Sequence, residues 1–412
     1  MTGHIDFIID PKALGERLLE RLDAMRRASP VYWSARNGAW LVTGHAEVEA
    51  GYSGRLPLSS RRLPGPAMVA IPEERRRALF PLVMQAPESW LLNMDDPGHA
   101  RLRKLMARAF NRDLVERMRP HARRFITETL DRVGQYGGEP FDFVSEIAQQ
   151  IPTRVILLLL GLPKALMGRM HYWSEVMNRV GNLHVSEQAL VEVNDVLAEV
   201  RALLVPEWQR RRLNPRQDFL SALVTASEDG DRLSEDEMFG ICTIMITGGG
   251  HDTTTNTMAL GTAALARDSR AVKLLREQPD IIGNAVMELQ RQIAMSTVMS
   301  RRVARDFEWH GQQLRENDVV LLFQAAANHD PALFPEPGTL DFMRPQHRNL
   351  TFAPGLHHCI GHLLAKMQLA EFFPELFGRF DVELLDRSLA FSPLMSFRGL
   401  EYLNIRLRPR PH

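Results

Sequence analysis

Residues 349–368 carry the stretch that decides the fold, N-L-T-F-A-P-G-L-H-H-C-I-G-H-L-L-A-K-M-Q. A turn-rich loop leads to Cys359, and the residues from about Gly361 onward are predicted to form a helix. Free N–H groups at a helix N-terminus lower the pKa of a thiol and stabilise the thiolate. Gly355 and Gly361 let the backbone come close to a bulky flat ligand, and Phe352 would cover the sulfur. Cys359 is therefore a candidate metal ligand.

The chain has two cysteines, Cys242 and Cys359, too few for a disulfide framework or a four-thiolate zinc site. A zinc site made of His357, His358 and Cys359 is also unfavourable, because adjacent residues rarely bind one tetrahedral ion together. A cysteine without context is most often an inert buried thiol. The glycines and the helix start around Cys359 are what favour a functional interpretation.

The 412-residue chain balances 50 Lys and Arg against 50 Asp and Glu, so its charge favours neither nucleic acid nor an anionic membrane as a partner. Charged residues interrupt the N-terminal segment, which does not have the apolar core of a signal peptide. The longest aliphatic run, residues 155–162, is much shorter than the ~20 apolar residues of a membrane-spanning helix. We therefore predict a cytoplasmic protein that acts on a small molecule and binds no membrane.

No repeat or flexible linker divides the chain, so we predict a single domain over residues 1–412. Apolar residues at helical spacing predict a mainly helical chain, with helices over about 99–119, 121–135, 142–160, 186–211, 234–268 and 279–294. Alternating and β-branched residues predict a small β region, with strands at 39–43, 318–323 and 402–407. Composition predicts long ordered loops, usually functional, at 53–88 and 328–358.

The predicted helix at 234–268 has an acid beside an alcohol near its middle. Three glycines, Gly248–Gly250, each destabilise a helix by about 1 kcal/mol relative to alanine. We expect the bare backbone there to make room for a flat cofactor and a small gas molecule. Asp252 and Thr253 follow at this gap, and an acid next to a hydroxyl can relay protons from solvent to a bound oxygen.

These patterns resemble the cytochrome P450 family, because two of its motifs are present. The signature F-G-x-G-x-H-x-C-x-G is matched by Phe352, Gly355, His357, Cys359 and Gly361. The motif G-G-x-D/E-T is matched by Gly249, Gly250, Asp252 and Thr253. One position departs from the signature, because Ala353 stands where the family usually has glycine. If the turn needs a positive φ there, alanine costs roughly 1 kcal/mol.

The resemblance implies the fold and the cofactor. The fold is mainly α with a small β region, a triangular prism in which haem lies between the long central helix and the Cys-ligand helix. The cofactor is haem b, iron protoporphyrin IX, with Cys359 as the axial thiolate ligand to the metal. Because the attachment motif C-x-x-C-H is absent, the haem would not be covalently linked.

The resemblance also assigns roles to further residues. The residues implied to contact the haem propionates are His99, Arg103, Arg301 and His357. Those implied to contact the rest of the haem are Phe352, Gly361 and Gly249. The E-x-x-R pair of Glu288 and Arg291, completed by Arg344, is implied to be structural. Asp252 and Thr253 are the implied catalytic residues that deliver protons.

The resemblance further implies a bacterial monooxygenase that inserts one oxygen atom from O2 into a hydrophobic small molecule. Since no flavin or dinucleotide module is visible, electrons would come from NAD(P)H through a ferredoxin reductase and a ferredoxin. Helical spacing places Arg101, Lys104 and Arg108 on one face, which with Arg112 could dock an acidic ferredoxin. We expect a monomer that binds no nucleic acid.

Family position assigns the substrate pocket to an apolar, methionine-rich set, namely Thr247, Gly248, Met295, Val298, Met299, Met395 and Phe397. Such a surface adapts easily to hydrophobic molecules, so fatty acid, terpenoid, steroid, aromatic and polyketide substrates all stay open. Two other functions also stay open: a peroxygenase that takes hydrogen peroxide directly, and a haem sensor or carrier without turnover. The pair of Asp252 and Thr253 disfavours both.

Overall fold

A computed structural model describes every residue of the chain except 1–5, 8, 63–65, 182–184, 229, 248 and 411–412. In this part of the chain the helices are α1 Pro11–Leu14, α2 Leu18–Ala28, α3 His45–Tyr52, α4 Pro66–Val69, α5 Glu73–Leu79, α6 Pro81–Ser89, α7 Gly98–Ala109, α8 Arg112–Gly134, α9 Gln150–Leu159, α10 Met167–Asn178, α11 Glu187–Leu213, α12 Phe219–Thr225, α13 Glu235–Ile246, α14 Asp252–Ala266, α15 Ser269–Glu277, α16 Ile282–Ile293, α17 Gln324–Ala327 and α18 His362–Arg379. None of these helices combines the length and the apolar character that crossing a bilayer requires.

The strands are short and lie mainly in the C-terminal half. They are β1 Val31–Ser34, β2 Ala39–Val42, β3 Leu58–Ser59, β4 Phe141–Asp142, β5 Ser227–Glu228, β6 Asp231–Arg232, β7 Met299–Val303, β8 Phe307–Trp309, β9 Gln312–Leu314, β10 Val319–Leu322, β11 Phe380–Leu384, β12 Ala390–Phe391, β13 Leu400–Tyr402 and β14 Asn404–Pro409. The prediction of a mainly helical chain with a small β region is confirmed.

The chain forms two compact units, and the first comprises Met1–Leu58, Arg119–Pro152 and Thr253–His412. Its largest sheet has the order β1-β2-β10-β7-β3, in which β10 pairs parallel to β2 and antiparallel to β7. Its main core includes buried side chains of α14, α16 and α18. A Cβ on Gly261 would lie 2.6 Å from the Phe373 ring, so α14 can approach α18 closely only with glycine at that position. Complete burial of such a phenylalanine contributes about 1.5–3 kcal/mol.

The second unit comprises Ser59–Met118 and Thr153–Asp252. Its long helix α11 is capped by Ser186, whose side chain accepts a hydrogen bond from the Ala189 N–H at 3.1 Å. Helix α13 begins with a reciprocal capping box between Ser234 and Glu237. Such caps satisfy backbone N–H groups that have no partner inside the helix. The organisation of residues 1–412 as a single domain stays a prediction.

Three predicted boundaries are wrong. Helices α5 and α6 occupy much of the expected loop at 53–88, because Pro81 stands at the first position of a helix, where its missing N–H costs nothing. The break near Pro120 lies instead at Phe110 and Asn111, since the Asn111 side chain accepts from the Leu114 N–H at 3.0 Å and caps α8. The helix expected at 234–268 is two helices, α13 and α14, separated by 247–251.

Candidate active site

The loop around Cys359 ends at the start of α18. The Cys359 N–H donates to the Phe352 carbonyl oxygen at 2.9 Å, and His362 Nδ1 lies 2.8 Å from the Cys359 carbonyl oxygen. Gly361 directly precedes the helix, and a Cβ placed on it would lie 3.9 Å from the Cys359 sulfur. The sulfur therefore lies close to the first turn of α18, where free N–H groups and the helix dipole stabilise a thiolate.

The turn before Cys359 needs left-handed backbone. Ala353 has a φ of 52°, so the alanine that departs from the family signature occupies the strained conformation. Gly355 has a φ of 81°, and a Cβ on it would lie 2.4 Å from the Tyr52 carbonyl oxygen. Gly355 is thus required by contact with the protein's own backbone, whereas the sequence suggested that it makes room for a ligand.

Cys242, the other thiol, lies in α13 and is fully buried. Burial raises the pKa of the Cys242 thiol to about 12, so this side chain stays protonated at neutral pH. A metal ligand must be the thiolate. The half-buried Cys359 is therefore the better candidate of the two.

Glu288, Arg291 and Arg344 meet inside the first unit. Both carboxylate oxygens of Glu288 accept from Arg291 at 2.8 Å, and Arg344 Nε donates to Glu288 Oε1 at 3.0 Å. Arg291 also donates to the carbonyl oxygens of Asn328 and Pro337, each at 2.9 Å. Burial alone would raise the pKa of Glu288, but its hydrogen bond and charge interaction with Arg291 outweigh burial and lower it. These contacts join α16 to the loop that leads to Cys359.

Arg301 and the Cys359 loop share a neighbour, Tyr52. The buried Arg301 guanidinium lies 5.1 Å from the centroid of the Tyr52 ring, while the Tyr52 carbonyl is in contact with Gly355. Arg301 also donates to the Ser300 carbonyl oxygen at 2.9 Å. His357 is half-buried in the same loop. The first unit thus holds a buried cation close to the loop that carries the thiol.

His99 and Arg103 lie on α7 in the second unit, one turn apart. His99 is buried, and its Nδ1 lies 3.6 Å from Asp96 Oδ1. Burial lowers the pKa of His99, and Arg103 lowers it further, although Asp96 acts in the opposite direction. Arg103 is half-buried, whereas Arg101, Lys104 and Arg108 are exposed, as helical spacing predicts.

The expected docking face needs one correction. Arg101 donates to both carboxylate oxygens of Asp231, at 2.6 and 2.9 Å, and also to Glu237. Two acids therefore neutralise Arg101, which holds α7 against the start of α13 and is not an available docking cation. Lys104, Arg108 and Arg112 are exposed, and their role in docking stays a prediction.

Three side chains contact the carboxylate of Asp252, the acid of the acid–alcohol pair. The Asp252 carboxylate accepts from Ser174 Oγ at 2.5 Å and from Asn178 Nδ2 at 2.7 Å, and its Oδ1 lies 3.0 Å from His251 Nδ1. Burial would raise the pKa of Asp252, but His251 and the two hydrogen bonds outweigh burial and lower it to about 2. Asp252 is an anion at neutral pH.

The described residues between α13 and α14, Thr247 and 249–251, have a turn conformation. Thr247 Oγ1 donates back to the Thr243 carbonyl oxygen at 2.8 Å, a contact that bends helices. A Cβ on Gly250 would lie 1.9 Å from the Met245 carbonyl oxygen, and one on Gly249 would lie 2.8 Å from the Ile244 side chain. The glycines are therefore needed by the turn itself. Gly248 lies outside the described residues.

The predicted pocket residues of the first unit lie on two neighbouring segments. The Arg398 N–H donates to the Met295 carbonyl oxygen at 2.7 Å, and the Thr297 N–H donates to the Ser396 carbonyl oxygen at 3.0 Å. These bonds join the segment that carries Met295, Val298 and Met299 to the segment that carries Met395 and Phe397. The side chains do not form one cluster, because Met295 and Phe397 pack in the main core, whereas Met299 packs against the core around β1 and β2. Met295, Val298 and Met395 are buried. Thr247 belongs to the second unit.

Sequence reasoning missed the residues that hold Asp252. His251 fills the variable position of the G-G-x-D/E-T motif, next to the acid in the sequence. This adjacency is the one signal that pointed to His251 as a partner of Asp252. Ser174 and Asn178 gave no signal, because nothing in the α10 sequence relates them to a position more than 70 residues later.

The residues present suit a thiolate-bound iron porphyrin. Cys359 offers a soft sulfur donor beside a helix N-terminus, the type of ligand that haem-thiolate proteins use. In the same unit Arg301 offers a cation and His357 an imidazole, groups that can bind carboxylates such as propionates. Together with a mainly helical fold, this chemistry defines a haem-thiolate protein.

Comparison with known proteins also indicates a haem-thiolate protein. The family model for cytochrome P450 matches residues 183–394. The chain is 32% identical to 6-deoxyerythronolide B hydroxylase of Saccharopolyspora erythraea, over 90% of each chain, and 32% identical to vitamin D(3) 25-hydroxylase of Pseudonocardia autotrophica, over 90% of this chain and 88% of that protein. Its structure is similar to that of P450BioI in complex with an acyl carrier protein, with a TM-score of 0.87, 26% identity and coverage of 96% and 99%.

The chain belongs to the cytochrome P450 family. It is an oxidoreductase of the monooxygenase class and has the P450 fold. Its cofactor is haem b with cysteine thiolate ligation, as in the family.

Proposed function

We propose that Cys359 is the thiolate ligand of the haem and that Asp252 and Thr253 deliver protons during the oxidation of a hydrophobic small molecule. The observation that carries this proposal is the position of the Cys359 sulfur, 3.9 Å from where a Cβ on Gly361 would lie, at the start of α18. When bound, the thiolate-ligated iron supplies the activation of O2 and cleavage of the O–O bond.

The chain's own residues have four tasks in this function. The N-terminus of α18 stabilises the thiolate. His99, Arg103, Arg301 and His357 bind the propionates and so fix the cofactor. Asp252 and Thr253 pass protons inward from solvent, and the apolar set around Met295 and Phe397 contacts the substrate and excludes water.

We also propose that the electrons come from NAD(P)H through a ferredoxin reductase and a ferredoxin, which docks on exposed cations of α7 and α8. A cytoplasmic location and a monomeric state complete the proposal. The names of the relatives suggest where a substrate screen should start. One relative is a 6-deoxyerythronolide B hydroxylase, and P450BioI was solved with an acyl carrier protein that bears a fatty acid. Substrate-induced shifts of the haem spectrum measure such binding.

The ligand assignment is tested with Cys359→Ser and the matched control Cys242→Ser. We expect the wild type and Cys242→Ser to show the long-wavelength Soret band of the reduced carbon monoxide complex that gives the family its name. Cys359→Ser should lose this band, because serine offers no thiolate. An unchanged band in Cys359→Ser, or its loss only in Cys242→Ser, would contradict the assignment.

A further inference from the structure

Helix α5 in the second unit carries three consecutive arginines, and the middle one differs from its neighbours in its surroundings. Arg75 donates to Glu187 Oε1 at 2.7 Å. Arg77 donates to Glu73 Oε1 at 2.9 Å. Both arginines are exposed, and each has an acid as its partner. The outer two arginines therefore form ordinary surface ion pairs, which need no ligand to satisfy them.

Arg76 lies on the inward face of the same helix. The Phe80 N–H donates to the Arg76 carbonyl oxygen at 3.0 Å, so the two positions lie one helical turn apart, with Leu79 beside them. Phe80 is fully buried, and Arg76 and Leu79 are half-buried, whereas residues 73–75 and 77–78 are exposed. An amphipathic helix places apolar residues on its inward face. This chain has a cation there instead.

The guanidinium of Arg76 lacks acceptors. Its Nε and Nη1 atoms are buried, and neither has a hydrogen-bond partner among the residues that the structure describes. A guanidinium keeps its charge in proteins and presents its N–H donors in a fixed planar fork. Because buried donors without acceptors destabilise a folded protein, an unpaired group of this kind requires an explanation. A bound anion would supply the missing acceptors.

The anion that fits this position best is a carboxylate on a largely apolar molecule. Two carboxylate oxygens match the arginine fork, and both hydrogen bonds between them are charge-assisted. Arg76 is half-buried, so its long side chain can turn and offer both nitrogens to a ligand. Buried apolar residues lie on either side of it in the chain, namely Met68, Phe80 and Val83. Substrate pockets combine such apolar surface with a few polar groups that fix the orientation of the ligand.

We propose that Arg76 is a specificity-determining residue that binds a carboxylate of the substrate, and that the protein oxidises hydrophobic carboxylic acids. This inference rests on the proposed function, to which it adds the substrate class. The carboxylate takes no part in the reaction. One oxygen atom of O2 enters a C–H bond elsewhere in the acid, and two electrons and two protons convert the other oxygen atom to water.

The test compares acids with neutral molecules of the same skeleton. The probes are dodecanoic acid with dodecanol and abietic acid with abietinol, and dodecyl phosphate serves as a different anion. The Kd of each probe comes from the shift that it induces in the haem spectrum of the holoenzyme. Arg76→Met removes the cation, and Arg76→Lys keeps the charge without the planar fork. Arg77→Met is the matched control, because Arg77 is exposed and already paired.

We expect at least one acid to bind the wild type about tenfold or more tightly than the matching alcohol, since hydrogen bonds to a charged group change a binding constant by about tenfold to a hundredfold. Arg76→Met should remove this preference, Arg76→Lys should keep part of it, and Arg77→Met should keep all of it. The proposal is overturned if neither acid binds more tightly than its alcohol, or if the preference survives in Arg76→Met. Tighter binding of dodecyl phosphate than of dodecanoic acid would also overturn it.

A stability measurement separates a ligand contact from a structural role. Because the buried donors of Arg76 are unpaired in the substrate-free protein, Arg76→Met should raise the denaturant concentration at which the substrate-free holoenzyme unfolds. Loss of a structural arginine would lower this midpoint. Arg77→Met should leave it almost unchanged, because exposed ion pairs contribute little. A lower midpoint for Arg76→Met would assign the residue a structural role and contradict the proposal.

Turnover separates failure of this inference from failure of the proposed function. If Cys359→Ser keeps the band of the reduced carbon monoxide complex, the ligand assignment is wrong, whatever Arg76 does. If the wild type shows that band but oxidises the alcohols as readily as the acids, only the assignment of Arg76 is wrong. Mass spectrometry should find the bound acid converted to a product that is heavier by one oxygen atom and retains its carboxylate. An acid that binds and is recovered unchanged would contradict the substrate class.

Discussion

Ala353 shows how one residue can carry strain beside a functional loop. Its φ of 52° is a conformation that disfavours residues with a Cβ, and its N–H donates to the Leu350 carbonyl oxygen at 2.9 Å. The surrounding loop must hold this conformation, because Gly355 and Cys359 are fixed by their own backbone contacts. The alanine is tolerated at a cost of roughly 1 kcal/mol.

Replacing Ala353 by glycine should therefore stabilise the protein. We expect the free energy of unfolding of Ala353→Gly to rise by less than about 1 kcal/mol, because the relief of strain is partly offset by the larger entropy of glycine in the unfolded chain. Ala365→Gly, in the right-handed interior of α18, is the control and should lower it by about 1 kcal/mol. Denaturant titration measures both. If Ala353→Gly lowered the free energy of unfolding, the conclusion that Ala353 is strained would be wrong.

At the scale of elements, α16 and the loop before Cys359 are joined by an ion pair network without solvent access. Glu288 and Arg291 are fully buried, and Arg344 comes from the loop. Removing one member of a buried pair leaves the others as uncompensated charges, which usually costs about 3–5 kcal/mol. Exposed ion pairs contribute much less.

Glu288→Gln should accordingly lower the free energy of unfolding by about 3–5 kcal/mol, whereas Glu277→Gln, which removes the exposed partner of Lys273, should change it by less than about 0.5 kcal/mol. Because the folded-state pKa of Glu288 is lowered, its contribution is complete above the unfolded pKa of about 4.3 and is lost as pH falls through the folded value. The difference between wild type and Glu288→Gln should shrink in acid. A difference that grows as pH falls would contradict the ionised state of Glu288.

The whole chain carries equal numbers of positive and negative residues, so its net charge would not attract the proposed ferredoxin, and a local charged surface would have to do so. Lys104, Arg108 and Arg112 are exposed on α7 and the start of α8. Arg101, which sequence alone placed with them, is already paired with Asp231 and Glu237.

Charge reversal by Lys104→Glu and Arg112→Glu should slow reduction by an acidic ferredoxin several-fold at low salt and leave substrate binding unchanged, because rim charges act mainly on association rates. Lys273→Glu, an exposed lysine on α15, is the control. Stopped-flow reduction kinetics at low and high ionic strength measure the effect. Equal slowing by the control, or no dependence on salt, would remove the docking assignment.

The family fold was implied by the resemblance of the motifs around Cys359 and Asp252 to those of cytochrome P450. Local spacing in the sequence was enough to predict the thiol at the start of a helix, the shared helix face of Glu288 and Arg291, and the exposed face of α7. Each of these depends on neighbours within a few residues, where helix geometry and turn chemistry act directly. The sequence predicted that Gly249 and Gly250 make room for a cofactor. In the structure a Cβ at either position would be too close to Ile244 or Met245, so the turn between α13 and α14 itself requires these glycines.

Only the tertiary structure decided what surrounds the acid and which acidic groups pair with Arg101. Ser174 and Asn178 reach Asp252 from 78 and 74 residues away, and Asp231 reaches Arg101 from 130 residues away. Polar contacts over such separations leave no period or motif in the sequence, because they depend on where the chain folds back. Residues 349–368 determined the class of the protein, and the hydrogen bonds from α10 to Asp252 determined how its acid is held.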